Sequence, residues 1–391
     1  MNNFITNTLW SLLSFSLRLL SNVVIYIIIA RFFGPEKFGQ FSTYVLACTI
    51  IFMISDSGIH QRYFKALSIS EKCEVINELV MIKLLFFLIS TLISITYSLY
   101  VQSLSALFLC VSFLINGAYD FMLINLRSSG RFKDEAWYAF VNNVLFFAFS
   151  ITALYLDDSI FFLSLAMFLA RVIVLLFLIK KEALHVDLSY KMAVIKGLIS
   201  HIYYFLDFTL TNVWSFLDGL IVRLIYSNYI FGIYSSYTRI SNGISGLSIV
   251  LTNVLFSKIA LDAQKRKHSW LLLGVSIFFF MGSILSSFLF FLGDEIILIL
   301  LGESYKEYSP LLLYLMIPVI LKWLSSSLGV YLFALGLVKS RVLIQTISIV
   351  VFFTALFALH RIQDSIFVIP ISMSIAYLTI FIFYSILVVR K

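Results

Sequence analysis

The chain has 391 residues, of which 61% are hydrophobic and only 12% charged, with 40 phenylalanines and a net charge of +8. A water-soluble domain carries roughly 25% charged residues, so lipid is the solvent for most of this surface, and no stretch is polar and long enough to fold as a separate soluble domain. Cys48, Cys73 and Cys110 lack motif spacing, which argues against a disulfide framework or a metal site.

The first residues, Met1-Asn2-Asn3-Phe4, have no basic stretch and no small-residue cleavage site, so the first apolar run is expected to be a retained span. A membrane helix takes about 20 mostly apolar residues. Twelve such runs are predicted, near 9–30, 41–61, 84–100, 103–125, 137–156, 159–179, 198–226, 229–257, 270–292, 310–335, 342–359 and 365–389. Of the four prolines only Pro318 falls well inside a run, where it could kink span ten. With a cytoplasmic N-terminus, nineteen Lys and Arg lie on the cytoplasmic side, from Arg62 to Lys391, against four outside: Arg31, Lys37, Lys306 and Arg361. That asymmetry follows the positive-inside rule, puts both termini in the cytoplasm, and sets Trp10, Trp137 and Trp270 at one interface. The positive charge is thereby explained by topology and anionic lipid heads, with no call for nucleic acid.

The chain also repeats itself. Phe38-Gly39-Gln40-Phe41-Ser42-Thr43-Tyr44 returns 193 positions later as Phe231-Gly232-Ile233-Tyr234-Ser235-Ser236-Tyr237. Each copy follows an apolar stretch ending in arginine, Arg31 and Arg223. Gly130-Arg131-Phe132-Lys133 recurs more loosely, at an offset of 206, as Gly336-Leu337-Val338-Lys339. Six spans per half is an even number, so the halves share one orientation. The expected fold is an all-α polytopic membrane protein of about twelve helices, built as two six-helix lobes, residues 1–190 and 195–391, in a parallel repeat.

Charges inside the spans point to function. Arg18, Arg171, Arg223, Arg239, Lys322, Asp56, Asp120, Asp207 and Asp218 all fall within apolar runs. An ionised group at the bilayer centre costs roughly 2.5–3.5 kcal/mol on insertion scales, so each needs a partner or a wet cavity. Arg223 lies near a span end and can snorkel to the interface. Arg18 shares a helical stripe with Ser11, Ser14, Ser21 and Asn22, and Arg239 shares one with Ser235, Asn242, Ser245 and Gly246. Asp207, Thr211, Trp214, Ser215 and Asp218 form a third stripe, and Ser42, Thr49 and Asp56 a weaker fourth. The plain alternative is structural pairing of Arg18 with Asp56, or of Arg239 with Asp207, as glue between helices. A shared polar cavity is the reading that accounts for all four stripes. Because basic groups predominate at mid-depth, its cargo is expected to be anionic, and arginine suits phosphate. The substrate-binding candidates are Arg18, Arg239, Lys322 and Arg171, with Asp56, Asp207 and Asp218 as candidates for ion coupling.

Ala30-Arg31-Phe32-Phe33-Gly34-Pro35-Glu36-Lys37-Phe38-Gly39 resembles the connection between the first two spans of polysaccharide flippases in the multidrug/oligosaccharidyl-lipid/polysaccharide exporter superfamily. Asp56-Ser57-Gly58, Ser129-Gly130-Arg131-Phe132, and Leu300-Leu301-Gly302-Glu303-Ser304-Tyr305 with the later Pro310 resemble further stretches of that family, in order along the chain. The nearest likeness is to O-antigen flippases of the Wzx type, with a MATE/MurJ-like fold. The resemblance implies two lobes around a cationic cavity, with Arg18 and Arg239 in its lining. It also implies an undecaprenyl-diphosphate-linked oligosaccharide as substrate, carried from the cytoplasmic to the periplasmic leaflet of the bacterial inner membrane, alongside other polysaccharide-assembly proteins.

Two other classes compete. A drug or cation exporter of the same superfamily would have an acidic, aromatic cavity; Asp207 and Asp218 keep it open, while Arg18, Arg239 and Lys322 oppose it. A polysaccharide polymerase or ligase would carry a large outer loop with catalytic residues, whereas the longest outer connection here is about 293–309. His60, His185, His201, His268 and His360 form no base–nucleophile set, so no enzyme is expected. No phosphate-cradling glycine loop appears and no cofactor is expected, so an ion gradient is the expected drive.

Overall fold

A computed structural model describes residues 2–68, 73–182, 205, 208–210, 212–265 and 267–390. Among these, every regular element is a helix. The first, α1 (Asn2–Asp56), holds predicted spans one and two in one element. The residues expected as a connecting loop, 31–40, are helical on both sides of a single break at Gly34, with φ 70° and ψ 173°. Glycine takes that positive φ without a Cβ clash, and Pro35 then opens the second helix where no backbone N–H is needed.

The first half continues with α2 (Ile59–Ser68), α3 (Cys73–Val101), α4 (Leu104–Ser128), α5 (Phe132–Leu156) and α6 (Ile160–Lys181). Two of these differ from the sequence prediction. The helix α2 replaces part of a predicted connection, and α3 begins eleven residues before predicted span three. The span prediction leaves Lys83 in the cytoplasmic connection, yet its ammonium is held inside the protein by the Ser55 carbonyl at 2.8 Å, and the helix runs through it. The tight turn expected at 101–102 is present: Gln102 has φ 54°, and the Ser103 side chain caps α4.

The second half contains α7 (Leu217–Ile225), α8 (Asn228–Gln264), α9 (Ser269–Leu300), a 3-10 turn η1 (Glu303–Tyr308), α10 (Pro310–Ala334), α11 (Val338–Ile362) and α12 (Val368–Val389). Much of predicted span seven lies outside the described residues. Nine of the described helices, α1 counted once, are long and apolar enough to cross a membrane.

Two compact units result: Met1–Ile25 with Gln40–Phe216, and Tyr26–Gly39 with Leu217–Lys391. In the first unit α4 packs on α3 and α6, and α6 on α5; in the second, α10 packs on α9 and α12, and α12 on α11. The order of packing is the same in both. The helix ends match as well. After α4, Gly130 takes φ 76°, Arg131 N–H donates to Leu126 O at 2.8 Å and Gly130 N–H to Arg127 O at 3.2 Å. After α10, Gly336 takes φ 75°, Leu337 N–H donates to Leu332 O at 3.0 Å and Gly336 N–H to Phe333 O at 3.0 Å. Both ends are Schellman-type caps. The loose sequence match at offset 206 thus corresponds to one turn built twice.

Candidate functional site

A network of ionic side chains runs through the first unit. Arg18 of α1 donates to Asp120 at 2.9 Å and to Glu135 at 3.3 Å. Arg127 donates to both oxygens of the same Glu135, at 2.5 and 3.3 Å. Asn116 donates to Asp120 at 3.1 Å and accepts from Arg171 of α6, whose guanidinium also lies 4.2 Å from the centre of the Phe146 ring. Asn142 of α5 adds a bond of 3.5 Å to Asn116. Four helices therefore meet through polar contacts inside the apolar part of the protein. The network holds three guanidinium groups and two carboxylates: Arg18 bonds Asp120 and Glu135 directly, Arg127 bonds Glu135, and Arg171 is linked to Asp120 through Asn116. Glu135 is closed off at 3% side-chain exposure, whereas Arg18 and Asp120 keep 25% and 31%.

The pairing of Arg18 with Asp56, named as the structural alternative to a cavity, is not what forms. Asp56 contacts His60 and lies 4.0 Å from the Lys83 ammonium, in a separate buried group. The network brings the predicted Arg18 and Arg171 together and recruits Asn116, Asp120, Arg127 and Glu135. Arg127 counts in the sequence as a charge of a cytoplasmic connection, and Glu135 is not singled out there; they occupy the last turn of α4 and the first turn of α5. A signal was available: Asn116, Asp120 and Arg127 are spaced i, i+4, i+11 and so share one face of α4.

In the second unit, the guanidinium of Arg239 on α8 stacks 4.1 Å from the centre of the Tyr26 ring. Lys322 is exposed at the middle of α10, close enough to Asp218 to interact with it electrostatically. Asp218 is buried and accepts a 2.9 Å bond from Tyr234. Asp207 lies outside the described residues, so its proposed pairing with Arg239 does too.

The stretches that carried the family resemblance sit at turns, and two of them meet. Tyr305, fully buried in η1, donates its hydroxyl to Ala30 O at 2.8 Å, Tyr237 donates to Tyr305 O at 2.7 Å, and Arg31 donates to Ile299 O. Burial pushes the Tyr305 phenol well above its ordinary value, so it stays a donor. Here the two repeat glycines also come together. A Cβ placed on Gly39 would drive into the carbonyl of Asn228, and one placed on Gly232 into the carbonyl of Pro35. Each blocking carbonyl belongs to the residue four before the other glycine.

This helical arrangement is shared with solved transporters. An inward-facing multidrug resistance MATE family transporter of the MOP superfamily matches with a TM-score of 0.76, 13% identity and 95% of each chain covered. The lipid II flippase MurJ, in an inward closed conformation, matches with a TM-score of 0.78 and 15% identity over 99% of this chain and 88% of that one. A eukaryotic MATE transporter gives 0.69 and 11%, over 100% and 97%. The chain is thus a multi-pass membrane protein with the fold of the exporters and flippases of that superfamily. Within it, the profile of the polysaccharide biosynthesis protein family matches residues 28–310, most of the chain, and the protein belongs to that family. No curated protein matches it in sequence.

Proposed function

We propose that the protein carries an undecaprenyl-diphosphate-linked oligosaccharide, such as an O-antigen repeat unit, across the bacterial inner membrane from the cytoplasmic to the periplasmic leaflet. Its two lobes, residues 1–190 and 195–391, alternate access to the two sides, and an ion gradient drives the cycle. The single observation that carries this reading is the excess of guanidinium over carboxylate within the network of the first unit: Arg18, Arg127 and Arg171 against Asp120 and Glu135. A diphosphate is what such a set recognises, through charge-assisted and bidentate bonds. Arg239 and Lys322 add basic groups in the second unit. Repeated packing and repeated caps support the two-lobe division. Asp56 and Asp218 are the described candidates for coupling, with Asp207 a third from the sequence.

A cation exporter would need carboxylates free to face a cationic drug. Asp218 is instead buried, bonded by Tyr234 and near Lys322. The decisive experiment is deletion of the gene with analysis of lipid-linked intermediates. An undecaprenyl-linked oligosaccharide should then accumulate on the cytoplasmic side; in the wild-type strain, tags on the two termini of the protein should be found on that same side. Unchanged intermediates and unchanged surface polysaccharide would reject the proposal.

A further inference from the structure

Apart from the arginine network, a second set of titratable side chains is buried where α1 ends. Asp56 is the last residue of α1, and Ser57 and Gly58 turn the chain through left-handed conformations, with φ 42° and 74°. His60, in the first turn of α2, places Nδ1 against Oδ1 of Asp56. Lys83 reaches in from α3: its ammonium donates to Ser55 O at 2.8 Å and lies 4.0 Å from that same Asp56 oxygen. Side-chain exposure is 9% for Asp56, 19% for His60 and 6% for Lys83. Around them stand Ile59, Tyr63, Ile82 and Phe121, the Phe121 ring 5.6 Å from the imidazole and 6.0 Å from the ammonium. From α4, Asp120 acts on Lys83 at longer range while bonded to Arg18. Tyr63 of α2 is bonded to Asn125, and Glu78 of α3 interacts with Arg62.

One carboxylate therefore faces two groups that can be cationic, in apolar surroundings. With Lys83 charged, Asp56 ionised and His60 neutral, the set carries no net charge. His60 Nδ1 lies against Oδ1 of Asp56, and both that oxygen and Nε2 of His60 are buried with no hydrogen-bond partner; with its proton on Nδ1, facing the carboxylate, the imidazole keeps its basic lone pair on Nε2. A buried polar atom left without a partner is unusual and needs an explanation.

We propose that Asp56, His60 and Lys83 form the proton-binding site of the transport cycle, with His60 Nε2 as the proton acceptor. This deepens the ion-driven reading above and rests on it. The proton adds to the Nε2 lone pair and no other bond changes, so the set goes from neutral to +1. Asp56 cannot neutralise both cations, and an uncompensated buried charge is strongly unfavourable. The strain is relieved by parting Lys83 from the end of α1 or by opening the Ser57–Gly58 turn to water. Either movement changes how α1, α2 and α3 are held together, and loss of the proton reverses it.

The test follows the imidazole signals of the purified full-length protein in lipid nanodiscs from pH 5 to 9 by NMR, with His60→Gln assigning one of the five histidines. The His60 signal should titrate. Its midpoint should rise by about one unit or more in Lys83→Gln, which removes a competing cation, and fall by as much in Asp56→Asn. Lys83→Arg, which keeps the charge, should leave it in place and checks that the variants remain folded. Surface polysaccharide per molecule of protein should fall at least tenfold in His60→Gln. A His60 signal that does not titrate, one indifferent to both charge-removing variants, or full export in His60→Gln overturns the site. Failure of the carrier reading looks different: deletion of the whole gene leaves polysaccharide untouched while the His60 titration persists.

Discussion

Replacing Arg18 with alanine separates a substrate-binding role from a structural one, because its partners are known. The guanidinium makes two charge-assisted bonds, at 2.9 Å to Asp120 and 3.3 Å to Glu135. Glu135 keeps Arg127 after the substitution, while Asp120 keeps the amide of Asn116. The loss thus falls mainly on Asp120. A hydrogen bond to a charged group is worth about 1.5–3 kcal/mol, and the partial exposure of this pair screens it. Arg18→Ala should therefore cost about 1–2 kcal/mol of stability, read as a lower unfolding temperature in detergent. Adding Asp120→Asn removes the orphaned charge and should recover roughly half of that. Surface polysaccharide, normalised to protein in the membrane, then decides the role. If Arg18 only holds helices together, the double variant regains export along with stability. If it binds diphosphate, export stays low in both, since losing one or two such bonds weakens binding by about one to two orders of magnitude. Arg18→Lys restores part of it, keeping charge but losing the two-pronged geometry. Wild-type export per molecule in Arg18→Ala would refute the reasoning.

Arg239 should behave similarly for substrate but not for stability, since its stacking on Tyr26 is worth about 0.5–2 kcal/mol; Tyr26→Leu should leave the unfolding temperature within a few degrees, which calorimetry checks. Alanine at Gly39 or Gly232 meets backbone that has no free end to move aside, so either substitution should lower membrane abundance or unfolding temperature sharply, whereas alanine at Gly34 meets open space and should cost about 1–3 kcal/mol through its backbone conformation alone. Tyr305→Phe removes the bond to Ala30 and leaves a buried carbonyl unsatisfied, an expected loss of about 1–3 kcal/mol in the same assay. Cysteines placed at Lys133 and Lys267, in a background lacking Cys48, Cys73 and Cys110, should resist an impermeant thiol reagent in intact cells while one at Glu303 reacts; labelling at position 133 from outside would reverse the orientation.

Turns were the most legible part of this chain. Gly34, Gly130, Gly302 and Gly336 all adopt positive φ in the structure, a conformation that few other residues reach, so these glycines could be read directly. Helical stripes were legible too, because the spacing of Ser14, Arg18 and Asn22 fixes a face. A face does not name a neighbour, however. Asp120 and Glu135 stand 102 and 117 residues from Arg18, and nothing local distinguishes them from Asp56. The start of α3 was missed for a related reason: an isolated lysine marks a helix end only when water is its best partner, and Lys83 has a backbone carbonyl instead. Arg127 counted only among the cytoplasmic loop charges and Glu135 drew no reading, since sequence shows their position at the helix ends but not that they bond each other and Arg18.

The reciprocal seating of Gly39 and Gly232 has a consequence for ancestry. Gly39 faces the carbonyl four residues before Gly232, and Gly232 the carbonyl four residues before Gly39. Two copies of one chain related by a two-fold axis make contacts of this kind, residue i touching j while j touches i. A single-length forerunner with that glycine would thus have met its twin across one small residue. Fusion of two such copies frees nearly every other position to diverge, but at this seam each copy still limits what the other may become.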